Sequence, residues 1–189
     1  MDAWQELEKK CFHCQKCELC KDRHNVVFGV GNRNADVMFI GEGPGEQEDL
    51  QGEPFVGPAG KLLDNMMSII DLDRSKVYIA NIVKCRPPYN RDPQEAEEQA
   101  CIGYLREQIS LIQPKIIVCL GRISARQILY PEYKITREHG QWIYRDNIWY
   151  TAIFHPSALL RDLSKRPETF EDLLMIRDKM RFLGINMNV

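Results

Sequence analysis

The sequence lacks any apolar run of about 18 residues, which excludes a membrane-spanning helix as its organising element. No secretory leader is expected either, because Met1-Asp2-Ala3-Trp4-Gln5-Glu6 is acidic and has no apolar h-region. A cytoplasmic protein with no membrane partner is expected. Internal repeats and low-complexity linkers are missing too, so a single domain over residues 1–189 is expected rather than an array. Excess positive charge is absent: the formal net charge is −2, and any nucleic-acid binding must come from local basic patches. Two clusters qualify, Lys84, Arg86 and Arg91 beside a proline-rich loop, and Arg161, Lys165 and Arg166 after His155-Pro156-Ser157. On charge alone each reads sooner as ordinary solvated surface than as a binding patch.

Cysteine is what the chain does have, seven in all. Thiolates are soft donors suited to zinc or iron-sulfur clusters, and a reducing compartment argues against disulfides. Cys14 and Cys17 form a Cys-x-x-Cys pair, with Cys85 and Cys101 far downstream. Cys11, Cys14, Cys17 and Cys20 also stand at steps of three, a spacing that resembles clusters held by local cysteines alone. An all-local cluster therefore competes with a long-range clip, and zinc competes with iron. Cys119 lies in an apolar run and reads as a packed core residue.

Short apolar runs at residues 37–40, 77–80, 116–120 and 150–154 are near-continuous, as strands covered on both faces are. Amphipathic stretches from about Ala59 to Ile70, Pro93 to Ile112, Arg122 to Leu129 and Glu168 to Leu183 read as helices. The alternation predicts an α/β three-layer sandwich with a central four-stranded parallel sheet. Between Trp142 and Phe154, Asp146-Asn147 is placed to turn a hairpin into the last strand.

Open parallel sheets bind ligands at the carboxyl ends of their strands. The runs end there in Gly41-Glu42-Gly43-Pro44-Gly45-Glu46-Gln47-Glu48-Asp49, in Asn81, in Gly121 and in His155. The glycine loop is a poor phosphate cradle: Pro44 removes a donor, the acids repel phosphate, and no Gly-Lys-Ser/Thr follows. Taken singly, Asn81 is a turn residue, His155 a surface histidine and Phe55 a plug. Their convergence on one rim makes them candidates.

The motifs Val26-Val27-Phe28-Gly29, Gly41 to Asp49, Pro54-Phe55-Val56-Gly57, Asn81-Ile82-Val83-Lys84-Cys85-Arg86-Pro87-Pro88 and His155-Pro156-Ser157 together resemble family 4 uracil-DNA glycosylases, over about Cys14 to Asp172. Pro58 and Ala158 depart from the family pattern, which bears on DNA contacts rather than chemistry. The resemblance implies a uracil-DNA glycosylase-like fold and excision of uracil from single- or double-stranded DNA by a monomer. It also implies a 4Fe-4S cluster on Cys14, Cys17, Cys85 and Cys101 that ties down the N-terminal segment, leaving Cys11 and Cys20 as extras.

By the same resemblance Phe55 stacks on a flipped uracil, Asn81 reads its Watson–Crick edge, and Gly43 lets the backbone approach the base. His155 donates to O2, while Glu42 positions water and stabilises the sugar cation, with Glu48 as second choice. Leu159 or Leu160 supplies a wedge into the duplex and Arg161 a phosphate contact. The competing function is a non-catalytic iron-sulfur electron carrier or redox-responsive DNA-binding protein, which the all-local cysteine run supports.

Overall fold

Backbone pairing turns the apolar runs into strands of one sheet, as seen in a computed structural model that describes residues 2–186. Met1 and residues 187–189, part of the expected domain over 1–189, lie outside the described residues. The strands are β1 (Val30–Gly31), β2 (Val37–Gly41), β3 (Val77–Asn81), β4 (Ile116–Leu120), β5 (Ile143–Arg145) and β6 (Ile148–Ile153), in spatial order β1-β3-β2-β4-β6-β5. Strands β3, β2, β4 and β6 are mutually parallel and coincide with the expected runs. The expected four-stranded parallel sheet is corrected to a six-stranded mixed one, because β1 and β5 add antiparallel edges. Strand β1 has only two residues, one of them glycine, and carries no apolar pattern to announce it. The β5–β6 hairpin turns at Asp146 and Asn147 with φ of 52° and 63°, the left-handed pair that such tight turns require.

Among the described residues eight α-helices flank the sheet: α1 (Ala3–Phe12), α2 (Glu46–Gln51), α3 (Pro58–Ile69), α4 (Glu95–Ile112), α5 (Gly121–Ile128), α6 (Ile135–Glu138), α7 (Pro156–Arg161) and α8 (Arg166–Phe182). Side chains alternate across a strand, and the two faces feed two cores. Met38, Ile40, Ala80, Ile117, Cys119 and Ala152 point into one, beneath α1, α4 and α5. Val37, Phe39, Ile79, Val118, Leu120 and Ile153 point into the other, beneath α3, α7 and α8. Each fully buried aliphatic side chain contributes about 1.5–3 kcal/mol, so continuous apolar strands are the expected outcome of a sheet covered twice.

Helix α1, not expected from the sequence, starts at a capping box in which Asp2 and Gln5 bond each other's backbone N–H. Its Trp4, Leu7 and Cys11 are buried. Trp4 packs edge-on against Phe28 and Tyr78 at centroid distances of 5.5 and 5.3 Å. The chain then leads into the Cys14–Cys17 segment beside α4.

Two parallel strands diverge in their connections at the centre of the sheet. Strand β2 connects to β3 on one side, whereas β4 continues to β6 on the other. The crevice at such a switch point is where open α/β sheets hold ligands. No helix among the described residues is long and apolar enough to cross a membrane.

Candidate active site

The carboxyl ends of the four parallel strands open into a cleft of about 670 Å³, whose lining includes Glu42, Gly43, Phe55, Asn81, Gly121 and His155. Each strand delivers one part. Gly41, which closes β2, pairs in register with Asn81 at the end of β3. A Cβ on Gly41 would lie 2.4 Å from Asn81 Oδ1 and 2.6 Å from Phe55 Cζ, so only glycine leaves the space that both side chains occupy.

Asn81 is 2% exposed and its Oδ1 has no hydrogen-bond partner among the described residues. A buried acceptor left unsatisfied costs about 1–3 kcal/mol. Such a group beside an open cleft is an acceptor waiting for a donor from a ligand.

His155 stands two residues past the end of β6 and caps α7. Its Nδ1 accepts the backbone N–H of Ser157 at 3.1 Å and lies 2.7 Å from Ser157 Oγ. An amide N–H can only donate, so Nδ1 carries the lone pair and the proton of the neutral ring sits on Nε2. Burial, aided by the Arg161 guanidinium, lowers the imidazole pKa to about 4, which keeps the ring neutral around pH 7. Gly121, at φ +86°, makes room: a Cβ there would stand 2.9 Å from His155 Cβ.

Phe55 stacks against the His155 ring at 5.6 Å and 30°. Its φ of 55° is left-handed, and the surrounding loop is pinned on both sides. Arg74 donates to Pro54 O at 3.0 Å and also to Phe55 O, while Glu48 accepts the N–H groups of Val56 and Gly57, both at 3.0 Å. Glu48 is thereby committed to holding the Phe55 loop rather than to water. Gly60 completes the fit, since a Cβ there would overlap Phe55 O at 1.8 Å.

Glu42 has its carboxyl pKa raised to about 7, chiefly by burial and then by Asp92, with Arg122 opposing. A carboxylate poised there exchanges protons near neutrality, as a general base should. Gly43 leaves no room for a side chain, because a Cβ would press on Val83 Cγ2 at 2.7 Å.

The DNA-facing expectations divide. Leu159 is 2% exposed and belongs to the core beneath α7, which removes it as a wedge, whereas Leu160 is 43% exposed. Neighbours on a helix point about 100° apart, and here the rotation sends Leu159 inward and Leu160 outward. Arg161 and Lys165 line the cleft. Lys84 leaves the expected basic patch: it is 1% exposed, with Nζ donating to Phe28 O at 3.0 Å and Gln108 Oε1 at 2.7 Å. Arg91 is held by Glu97 and Arg166 by Leu159 O. Arg74, Ser157 and Arg122 were missed. Only Ser157 carried a signal, standing two residues after His155 where a cap is completed.

Cys14, Cys17, Cys85 and Cys101 line a second cavity, together with Cys11 and Cys20. Cys85 and Cys101 thus face the same cavity as the four local cysteines. Among the described residues no three His, Cys, Asp or Glu side chains converge on one ion-sized point, whereas a cluster takes one thiolate per iron. The all-thiol donor set fits such a group. So do its donors: Arg23 Nη1 bonds Cys85 Sγ at 3.3 Å and Cys14 O at 2.8 Å, and the Lys84 backbone N–H bonds Cys101 Sγ at 3.3 Å.

A neutral imidazole donor and an orphaned amide acceptor at the mouth of a doubly wound α/β sheet define a site for a planar, hydrogen-bonding ligand. Residues 28–176 match the family described as the Uracil DNA glycosylase superfamily, and the chain belongs to it. It is 42% identical over 186 residues to a type-4 uracil-DNA glycosylase of Archaeoglobus fulgidus, covering 93% of this chain and 92% of the relative. Identity is 44% over 187 residues to the type-4 enzyme of Sulfurisphaera tokodaii, covering 94% and 85%. For the type-4 enzyme of Saccharolobus solfataricus it is 44% over 197 residues, covering 100% and 91%.

Proposed function

We propose that this chain is a DNA-repair hydrolase that cleaves the N-glycosidic bond of deoxyuridine and leaves an abasic site. The observation that carries the proposal is the partnerless Asn81 Oδ1, 2% exposed beside the cleft. Uracil offers it a donor, N3–H, while the Asn81 amide donates to O4. Cytosine presents an acceptor and a donor in those places, leaving buried groups unpaired at about 1–3 kcal/mol each.

A base stacked in a duplex hides its glycosidic bond, so the nucleotide must first leave the helix. Phe55, fixed by Glu48 and Arg74, provides an aromatic surface for the base. Leu160 fills the gap it leaves, and Arg161 holds a phosphate. As the C1′–N1 bond breaks, negative charge spreads over uracil and positive charge over the sugar. Nε2–H of His155 donates to O2 and stabilises the anion, an effect worth roughly 3–4 kcal/mol for one such donor. Glu42, ionised, stabilises the sugar cation and takes a proton from the attacking water. The hydroxyl adds to C1′, and the bonding pair departs with N1 of uracil.

A 4Fe-4S cluster held by Cys14, Cys17, Cys85 and Cys101 would supply a cross-link rather than reaction chemistry. Cys85 lies four positions after Asn81, so the cross-link braces the base-reading residue. The reading is of one domain with its N-terminal segment tied down, acting as a cytoplasmic monomer on single- or double-stranded DNA. Uracil release from a labelled oligonucleotide tests it: free uracil is expected from U-containing DNA and none from DNA with cytosine in its place. Intact DNA binding by iron-loaded protein without any release would overturn it.

A further inference from the structure

The loop from β3 to α4 carries a side chain that the chemistry above leaves unused. Tyr89 is 99% exposed and sits at φ 56°, ψ 25°, with Asn90 following at φ 54°. A bulky residue in the left-handed region costs on the order of 1 kcal/mol or more, and such strain persists only where surroundings enforce it. Here they do. Pro87 and Pro88 restrict the backbone, Arg86 Nε donates to Asn90 Oδ1 at 2.8 Å, and Asn90 N–H bonds Pro87 O at 3.1 Å. Arg91 then grips the Glu97 carboxylate through two N–H groups at 2.8 and 2.9 Å. A rigid loop holds an aromatic ring in solvent, where it packs against nothing that would reward the strain.

Its neighbours in the chain put the loop at the rim of the cleft. Pro87, Asn90 and Arg91 line the same cleft as Ser157, Ala158 and Arg161. The two groups follow β3 and β6, the outermost of the four parallel strands. The Tyr89 loop and α7, where Leu160 is exposed, thus flank the mouth through which a nucleotide would enter the cleft.

We infer that Tyr89 is a stacking platform for an unpaired base flanking the extruded nucleotide. This rests on the reading that the cleft acts on DNA. Every base has a π-face, so the contact would be tolerant of sequence and would hold single strands and locally opened duplex. A phenol ring also buries a large area at little conformational cost once its loop is fixed.

The test is binding of a uracil-free single-stranded oligonucleotide with 2-aminopurine scanned along it, read by anisotropy and by quenching. Y89A is expected to raise Kd roughly 5- to 100-fold, the range that one base–aromatic stack supports, and to weaken the quenching of 2-aminopurine. Y89F should match the parent, and the slope of log K against log salt should not change, because no phosphate contact is lost. Unchanged thermal unfolding of Y89A would confirm that the fold is intact. A Y89A Kd within about twofold of the parent would overturn the inference. So would equal losses in Y89F and Y89A, which would point to the hydroxyl, or a salt slope reduced by about one, which would point to a phosphate. The probe contains no uracil, so a protein that binds DNA but releases no base would sink the excision reading and leave Tyr89 to be judged by binding alone.

Discussion

The backbone N–H of Ser157 donates to Nδ1 of His155 at 3.1 Å, and this bond decides which ring nitrogen can serve the cleft. With Nδ1 occupied, only Nε2–H is available to a ligand. H155A is expected to slow single-turnover uracil release by about 10²- to 10³-fold, the loss typical of one oxyanion donor, with DNA affinity little changed. A rate equal to the parent would remove His155 from the mechanism.

Protonation of Glu42 should set the acid limb of the rate profile. Its pKa is raised to about 7, and a base must be ionised to act, so single-turnover rates should fall as pH drops through about 7. His155, lowered to about 4, should contribute no limb between these values. E42Q should be slow and lose the limb. Because a raised carboxyl pKa means the folded state gives up its proton less readily, folding stability falls as pH rises from 4.5 toward 7. Denaturant titrations of E42Q should show that part of the slope gone.

Asn81 exchanges stability for recognition. N81L replaces an orphaned polar group by an apolar one of similar size, so it should match or exceed the parent in stability, by up to about 1–3 kcal/mol, and should not release uracil. Strong destabilisation would mean that Asn81 is a structural residue.

The leucines on α7 should separate cleanly. L159A opens a cavity in the core and should cost about 2–5 kcal/mol in urea unfolding. L160A should leave stability within about 0.5 kcal/mol and slow excision from duplex more than from single strands. Equal rates on both substrates would deny Leu160 the wedge role.

Iron content tests the thiol assignment. C85A and C101A should each lose bound iron and the visible absorbance, whereas C20A should keep both. Retention of iron in C85A and C101A together would restore the all-local arrangement.

Much of this was legible before the structure. Strands buried on both faces announce themselves as continuous apolar runs, and their carboxyl ends mark the rim, so Glu42, Asn81 and His155 were all found by position. What the sequence could not convey was which way a side chain points once packing decides. Leu159 and Leu160 are chemically identical neighbours, and helix rotation alone sends one into the core. Lys84 reads as surface charge because nothing local reveals that Phe28 O and Gln108 await its ammonium. Glu48 and Glu42 are both acids of one loop, and only the fold shows that Glu48 is occupied by two backbone donors. Edge strand β1 was lost because it is too short and too glycine-rich to carry a pattern, whereas the hairpin that adds β5 was announced by Asp146-Asn147.

The pairing of Gly41 with Asn81 across β2 and β3 carries a further meaning. Side chains alternate along a strand, so a slip of one residue in this ladder would turn the amide to the opposite face of the sheet. The continuing bonds from Ile82 N–H to Gly41 O at 3.0 Å and from Val83 N–H to Glu42 O at 3.1 Å extend the zipper past the strand ends and resist that slip. If Asn81 reads the base as proposed, fidelity of base choice is a property of main-chain alignment as much as of any functional group, and substitutions that loosen this seam should make the enzyme less discriminating before they make it unfold.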